Sequence, residues 1–285
     1  MSLEAIQALL LSLVPCFFWL WYIQGLGRYR REPAWMLGLA LLAGAGSAYG
    51  VLLTCDLLEE LAPGFLSVPH EPLRLLFYFV VAVGLVEEGW KMLCCWLAVY
   101  FLPSFDEPVD GLLYAGCVAL GFATAENVKY ILEAGGPAVL VGRSILSTFG
   151  HVLMSGVWGY ALGMQKCRPT RAPLWLLALF GAALGHGLFD WFLMMGWPLA
   201  AVAVLAGLWW LFSQRIQEAA RLSPYRVHRV HRVRECPHCG ILHRAEASYC
   251  TGCGRRNETT GALCANCLTP AGGEERCGKC GCLFA

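Results

Sequence analysis

LRLLFYFVVAVGLVEEGWKMLCCWLAVYFL, residues 73–102, is apolar almost throughout and carries two glutamates and a lysine near its centre. A stretch of about 20 apolar residues is long enough to cross a bilayer as a helix. An ionised side chain at the centre of such a helix costs roughly 2.5–3.5 kcal/mol. The segment therefore predicts a membrane helix in which Glu87, Glu88 and Lys91 face a polar protein interior rather than lipid.

The rest of the chain shares this apolar character. Of its 285 residues, 58% are hydrophobic and 14% are charged, whereas soluble domains are about 45–50% apolar and about 25% charged. An ordinary soluble enzyme, a disordered chain and a fibrous repeat are thereby excluded. Segments with the length and hydropathy of membrane spans are 5–24, 33–54, 73–102, 111–132, 144–165, 173–195 and 197–212. We expect an all-α polytopic membrane protein with about seven transmembrane helices.

The charges of the loops predict the orientation of these spans, because cytoplasmic loops carry an excess of lysine and arginine. Basic residues follow the first, fifth and seventh spans, whereas the loop after the second span is acidic. This pattern places the N-terminus outside and the C-terminal tail in the cytoplasm of a multi-pass protein of the cell membrane. Residues 215–234 form a basic juxtamembrane linker, for which binding to anionic lipid headgroups is an alternative interpretation.

Polar residues lie inside four consecutive predicted spans. They are Glu87, Glu88 and Lys91 in the third span, Glu126 and Asn127 in the fourth, His151 and Ser155 in the fifth, and His186 and Asp190 in the sixth. Four carboxylates facing lipid would cost on the order of 10–14 kcal/mol, so we expect them to line one polar interior. Residues four apart share a helix face, so Asp190 can orient His186 or act as a metal ligand beside it. Carboxylates and imidazoles around such a pocket can activate water directly or through a metal.

These motifs resemble the PrsW family of intramembrane proteases, which is related to the type II CAAX-prenyl endopeptidases and the Abi proteins. The resemblance is carried by EEGWK, FDEPVDGLLYAG, GFATAENVKY, FGHVLMSGVWGYALG and HGLFDW, in this order across residues 70–195. It does not cover the first two spans or the tail. The resemblance implies hydrolysis of peptide bonds in membrane-associated protein substrates, in or near the bilayer.

The resemblance also implies roles for the residues at the matching positions. Either Glu87 or Glu88 would act as the general base. His151 and His186 would stabilise the oxyanion or, with Glu126, hold a catalytic zinc ion. The remaining expected roles are charge neutralisation by Lys91, hydrogen-bond donation by Asn127 and orientation of His186 by Asp190.

Two other functions remain open on the sequence alone. A protease-like fold could serve as a non-catalytic membrane scaffold or receptor, and buried carboxylates also mark ion-coupled transporters. The complete set of acids and histidines favours the protease over the scaffold. The sequence lacks the Gly- and Pro-broken inverted repeats typical of transporters. Ser155 lies in LMSG rather than in a GxSG motif, which disfavours it as a nucleophile.

The C-terminal tail differs from the apolar body in charge and in cysteine content. Residues 1–214 contain 10 basic and 14 acidic residues, whereas residues 215–285 contain 11 and 6. The tail carries four CxxC pairs, Cys236 with Cys239, Cys250 with Cys253, Cys264 with Cys267, and Cys277 with Cys280. This spacing is typical of two Cys₄ zinc sites.

We therefore divide the chain into a transmembrane protease-like domain (1–214), the linker (215–234) and a small cytoplasmic double zinc ribbon (235–285). The ribbons are expected to bind a cytoplasmic protein partner or to regulate the protease. No aromatic stacking platform is visible in the tail, which argues against nucleic acid as a partner.

Overall fold

The computed structural model describes residues 3–25, 32–134, 146–168, 172–223, 229–230, 232–256, 261–271, 273–279 and 282–284. The chain divides into two compact units, Met1–Pro224 and Tyr225–Ala285. The basic loop at 28–31, the start of the predicted fifth span at 144–145, and residues 224–228 and 231 of the predicted linker lie outside the described residues.

The first unit is helical. Its helices are α1 (Leu3–Gln24), α2 (Ala34–Leu61), α3 (Pro72–Tyr78), α4 (Val86–Cys95), α5 (Pro108–Ala134), α6 (Thr148–Cys167), α7 (Leu174–Met194) and α8 (Pro198–Leu222). Two π-helical stretches, Phe79–Leu85 and Trp96–Tyr100, flank α4. The predicted third span is therefore one helical run of mixed type. Helix α8 extends to Leu222, so the first part of the predicted linker is helical.

The expected architecture of an all-helical membrane protein is confirmed. Among the described residues, five helices are long and apolar enough to cross a membrane, and these are α1, α2, α5, α7 and α8. The other two predicted spans correspond to the helical run 72–100 and to α6. The run 72–100 is divided into segments of 7, 7, 10 and 5 residues, each too short by itself to cross a membrane, and α6 carries polar residues of the site.

Helix α5 is the central element of the bundle. Its most apolar window is 94% buried, whereas the windows of the other four candidate spans are 22–33% buried. Small residues allow neighbouring backbones to approach it closely. A Cβ on Gly121 of α5 would lie 1.9 Å from the carbonyl oxygen of Leu41 in α2, and a Cβ on Gly111 would lie 2.1 Å from that of Gly159 in α6. Neighbours are thus packed closely against the start and the middle of α5.

The second unit contains two small sheets. Strand β1 (Arg229–Val230) pairs in parallel with β5 (Leu283–Phe284), and β2 (Arg232–Glu235) lies between β3 (Leu242–Arg244) and β4 (Leu263–Cys264), antiparallel to both. These strands are too short to enclose a core of their own. The buried apolar groups of this unit include the cysteines that begin the four CxxC pairs.

Candidate active site and cysteine clusters

A short helix between two π-helical stretches holds two of the four acidic residues of the site, Glu87 and Glu88. Helix α4 follows directly after the π-helical stretch Phe79–Leu85, and π-helical turns inside helices occur frequently at functional sites. This stretch packs closely against α7, since a Cβ on Gly187 would lie 2.6 Å from the Cα of Val80. The contact brings His186 of α7 next to the glutamates of α4.

Glu88 is fully buried and is surrounded by hydrogen-bond donors. Its Oε1 accepts from Lys91 Nζ at 2.8 Å and lies 3.2 Å from His186 Nδ1. Its Oε2 accepts from Ser155 Oγ at 2.7 Å and from Trp158 Nε1 at 2.9 Å. A carboxylate has about four acceptor positions, so all of them are occupied. Glu88 therefore has no position left to accept a proton from a water molecule.

The two nitrogens of His186 have different surroundings. Nδ1 faces Glu88, whereas Nε2 lies 3.7 Å from Oε2 of Glu87 and 3.5 Å from Oδ2 of Asp190. An Nδ1–H donated to a carboxylate leaves the lone pair on Nε2. The structure thus assigns the orientation of this ring to Glu88. Asp190 contacts the opposite nitrogen, Nε2, at 3.5 Å, so its expected part in orienting His186 stays a prediction.

His151 lies between a cation and a carboxylate. Lys91 Nζ lies 3.0 Å from Nδ1, and Glu126 Oε2 lies 2.9 Å from Nε2. An ammonium group can only donate, so Nδ1 accepts and Nε2 of the neutral ring donates to Glu126. The rings of His151 and His186 meet edge to face, with centroids 5.2 Å apart. The contacts therefore run without a break from Glu126 to Asp190.

Lys91 is the positive centre of this network. It is fully buried and bonds Glu87 at 3.2 Å as well as Glu88. Its ammonium group lies 3.8 Å from the centroid of the Phe122 ring. Phe122, on α5, thus provides a cation–π contact of the kind expected in a desolvated site.

Asn127 lies at the edge of the site. Its side-chain amide donates to Thr148 Oγ1 at 3.2 Å, one helical turn before His151. This contact ties α5 to the start of α6. It gives Asn127 a place in the framework of the site, beside Glu126 on the same helix.

Three side chains of the site converge as metal ligands would. Glu87, His151 and His186 each offer one ligand atom, and these atoms all lie within 4.8 Å of one another. Two ligands of a tetrahedral zinc ion lie about 3.4 Å apart, given bonds of about 2.1 Å. The expected set contained Glu126 instead of Glu87. In the structure Glu126 bonds His151, and Glu87 completes the converging set.

The donor chemistry fits a divalent cation. Two imidazoles and a carboxylate are ligands that zinc hydrolases use. In their ionised forms, the four carboxylates of the network, Glu87, Glu88, Glu126 and Asp190, face the single ammonium of Lys91. A divalent cation would offset much of the remaining negative charge, which a low-dielectric interior disfavours.

Comparison with known proteins places this site in a family. A family model described as "PrsW family intramembrane metalloprotease" matches residues 32–213, which include every residue of the network. The chain belongs to the PrsW family. It is accordingly an intramembrane protease.

Several relatives of the PrsW family are similar to the chain over much of its length. A Protease PrsW of Clostridioides difficile (strain 630) is 33% identical over 69% of this chain and 83% of its own length. One of Bacillus subtilis (strain 168) is 28% identical over 70% and 89%, respectively. One of Geobacillus kaustophilus (strain HTA426) is 34% identical over 49% of this chain and 63% of its own length. No solved structure matches the chain.

Sequence reasoning singled out the acids and histidines of the PrsW motifs but missed Trp158. Its Nε1–H donates to Glu88, and it is completely buried. A signal was present, because His151, Ser155 and Trp158 are spaced by four and three residues and so share one helix face. Ser155, considered only as a nucleophile, instead donates to Glu88.

The tail beyond the PrsW match contains two groups of cysteine side chains. In the first, Cys236 Sγ lies 3.7 Å from Cys253 Sγ, and Cys239 Sγ lies 3.5 Å from Cys250 Sγ. The second contains Cys264, Cys267 and Cys277. Cys280, its predicted fourth member, lies outside the described residues.

One backbone turn recurs at all four CxxC pairs. The N–H of the first cysteine donates to the carbonyl five residues later, at Cys236, Cys250, Cys264 and Cys277. Gly240 and Gly254, directly after two of the pairs, have positive φ of 71° and 69°, which glycine adopts without steric cost. Leu268 takes the same place after the third pair with φ of 55°. The tail thus repeats one cysteine-presenting turn.

One cysteine of the first cluster, Cys250, favours the thiolate, whereas desolvation and hydrogen bonds among the thiols raise the pKa of Cys239. Hydrogen bonds from the backbone at Cys253 and Gly252 lower the pKa of the Cys250 thiol to about 6. The thiolate is the form that binds metal, so this residue is prepared for metal binding at neutral pH.

Proposed function

We infer that this PrsW-family chain is a metal-assisted endopeptidase that cleaves membrane-associated protein substrates. Glu87, His151 and His186 hold a zinc ion, and Glu126 acts as the general base. The observation that carries the proposal is the convergence of these three ligand atoms within 4.8 Å. This convergence supports zinc chemistry because further carboxylates lie beside the three ligands. Glu126 bonds His151, and Asp190 lies near His186.

The proposal takes Glu126 as the base because the alternatives are occupied. Glu88 has four donors and is fully buried. Glu87 belongs to the converging ligand set. The side chain of Glu126 is 18% exposed, so water can reach it, and it bonds one of the ligand histidines. A general base must lie within hydrogen-bond reach of its proton donor, and this location supports that role.

Each remaining residue has a defined task in this scheme. A bound zinc ion supplies positive charge that activates water and polarises the peptide carbonyl. Histidines bind a metal as neutral imidazoles, so metal binding would release a proton from any ligand ring that is protonated beforehand. Lys91 holds Glu87 and Glu88 in place by charge, and Asp190 provides a further carboxylate near Nε2 of His186. The site excludes bulk water because its members are largely buried.

Variants of the full chain in liposomes test the proposal. His186→Ala is expected to contain about one zinc ion fewer per chain than the wild type, so that the zinc of the tail cancels in the comparison. Glu126→Gln is expected to keep that zinc while cleavage of a membrane-anchored reporter peptide falls by about 10²–10⁴-fold, the usual contribution of a general base.

A matched control lies on the same helix. Glu133 is two turns beyond Glu126, 61% exposed and paired with Lys129 at 3.9 Å. Glu133→Gln should leave both zinc content and cleavage unchanged. Equal zinc content in wild type and His186→Ala would contradict the metal site, and full activity of Glu126→Gln would contradict the assigned base.

The tail completes the proposal. Its two cysteine clusters each hold a structural zinc ion, with Cys280 as the fourth ligand of the second site. Sulfur separations of 3.5–3.7 Å in the first cluster support this, since ligands of a tetrahedral Cys₄ zinc lie about 3.8 Å apart at bonds of about 2.3 Å. The N-terminus lies outside and the tail in the cytoplasm, where it binds a protein partner or regulates cleavage.

Orientation can be measured directly. A protease added to sealed right-side-out vesicles is expected to leave the tail intact, and to digest it once the vesicles are opened after zinc removal. Digestion of the tail in sealed vesicles would show that the tail lies outside, opposite to the proposed orientation.

A further inference from the structure

One face of α6 contributes both a proposed metal ligand and two donors to a buried carboxylate. His151, Ser155 and Trp158 follow each other at intervals of four and three residues. Ser155 Oγ and Trp158 Nε1 reach the same oxygen of Glu88, at 2.7 and 2.9 Å. All three of these groups, Ser155, Trp158 and Glu88, are fully buried.

We propose that Ser155 and Trp158 are positioning residues that orient His186 through the carboxylate of Glu88. Their two bonds fix Oε2, and this holds Oε1 at 3.2 Å from His186 Nδ1. The Nδ1 proton then stays on the side of Glu88, and Nε2 presents its lone pair toward Glu87. Within the described part of the chain, the side-chain hydrogen bonds of Ser155 and Trp158 go to Glu88 and not to the converging ligand atoms, so each acts on the chemistry through Glu88.

The physical reason is the soft rotation of a carboxylate. The terminal torsion of a glutamate side chain is broad and roughly two-fold, so a carboxylate held only at one oxygen can turn. An indole N–H can donate but not accept, and Trp158 therefore binds the carboxylate without ambiguity. In a buried site a lost donor leaves an unsatisfied acceptor, and the Glu88 carboxylate, held at fewer points, would turn and shift Oε1 relative to His186 Nδ1.

The inference rests on the proposed zinc site for its effect on catalysis, but its geometric part is independent of zinc. Outer partners of metal-bound histidines fix the tautomer and typically change metal affinity or activity by about 10–100-fold when removed. We therefore expect Ser155→Ala and Trp158→Phe to lower kcat by about 10–100-fold with little change in KM. A residue that touched substrate would change KM as well.

The experiment uses the full chain in liposomes and three readouts. Histidine ¹⁵N NMR, with the His186 signal identified by its loss in His186→Ala, reports whether Nδ1 carries the proton. Zinc retained against a series of chelator concentrations, after subtraction of the value for His186→Ala, reports the affinity of the membrane site. Cleavage of a reporter peptide with one transmembrane segment gives kcat and KM.

Ser155→Ala and Trp158→Phe are expected to turn the single His186 tautomer into a mixture. They should also release zinc at about 10–100-fold lower chelator concentration. Tyr160→Phe is the matched control, because Tyr160 lies on the same helix but faces Arg215 of α8. The guanidinium carbon of Arg215 lies 5.2 Å from the centroid of the Tyr160 ring. It should match the wild type in every readout. Unchanged tautomer and zinc retention in both test variants would overturn the proposal.

A double-mutant cycle separates action through Glu88 from any other role. In a Glu88→Gln background, Ser155→Ala should have no further effect, because the partner it acts on is already altered. An undiminished loss in that background would overturn the proposal and make Ser155 act directly. If the wild type holds no zinc in its membrane unit and cleaves nothing, the proposed function fails, yet the NMR readout still decides whether Ser155 and Trp158 orient His186.

Discussion

Lys91 shows how one residue makes the site compatible with a bilayer. Its ammonium group bonds Glu87 and Glu88 and contacts the face of Phe122. A buried charge is tolerated only when paired and hydrogen-bonded, and here one cation serves two adjacent acids. The two glutamates nevertheless differ in their surroundings. All hydrogen-bond acceptor positions of Glu88 are occupied, whereas the side chain of Glu87 is 13% exposed.

Removing this cation should destabilise the bundle. Lys91→Met leaves two buried acids without their partner, and loss of one member of a buried ion pair typically costs about 3–5 kcal/mol. Thermal unfolding of the helices in detergent measures the loss. The control is Lys129→Met, whose lysine is 53% exposed and 3.9 Å from Glu133; it should cost less than about 1 kcal/mol. Equal losses in the two variants would show that Lys91 is not structurally central.

The helix elements determine where the histidines meet the acids. Helix α7 fits against the π-helical stretch Phe79–Leu85 through glycines on both sides. A Cβ on Gly84 would lie 2.5 Å from the carbonyl oxygen of Ala183, and one on Gly187 would lie 2.6 Å from Val80 Cα. Without a hydrophobic force between helices in lipid, such close packing is what drives their association. His186 is adjacent to Gly187, so its location depends on this contact.

Gly187→Ala should therefore affect both stability and activity. The added methyl group meets backbone atoms that cannot move away easily, and overpacking costs about 1–3 kcal/mol. We expect a lower unfolding temperature and slower cleavage, since His186 moves with the displaced helix. Gly207→Ala on α8 is the matched control, because a Cβ there meets nothing within 4 Å. Wild-type cleavage by Gly187→Ala would show that the glycine contact does not locate His186.

At the scale of the whole molecule, the two units are stabilised in different ways. The unit Met1–Pro224 has an extensive apolar core around α5, whereas Tyr225–Ala285 has short strands and grouped cysteines. The first unit is held by helix packing. The second has short strands and little core for its size, so under the proposed function zinc at its cysteines would stabilise it. Conditions that protonate cysteine thiolates should therefore destabilise the unit Tyr225–Ala285 and leave the helical unit folded.

Acid should unfold the tail before the helices. The pKa of Cys250 is lowered to about 6, so the stabilising thiolate is fully present above the ordinary pKa of cysteine and is lost as the pH falls through about 6. We expect zinc release and loss of tail structure as the pH falls through this range, with helical circular dichroism unchanged. Simultaneous loss of helix and zinc would contradict separate cohesion of the two units.

Much of the fold followed from local features of the sequence. The membrane helices are encoded by long apolar runs, and the paired cysteines by their spacing, because both depend on residues that are neighbours along the chain. The site residues also stood out, since a charge inside an apolar run is costly wherever it ends up. The π-helical stretches around α4 were not predicted, because a change of helical type leaves no mark on an apolar pattern.

Assignment of roles within the site required the tertiary structure. Sequence could not separate Glu87 from Glu88, which are adjacent and identical in chemistry. Ser155, Trp158 and His186 lie 67, 70 and 98 residues from Glu88 along the chain, and they saturate it only because α6 and α7 pack beside α4. The sequence by itself determined which chemical groups enter the membrane. Packing decided which of them accept hydrogen bonds from neighbouring side chains and which stay open to water, because hydrogen bonds depend on distances that only the folded bundle sets.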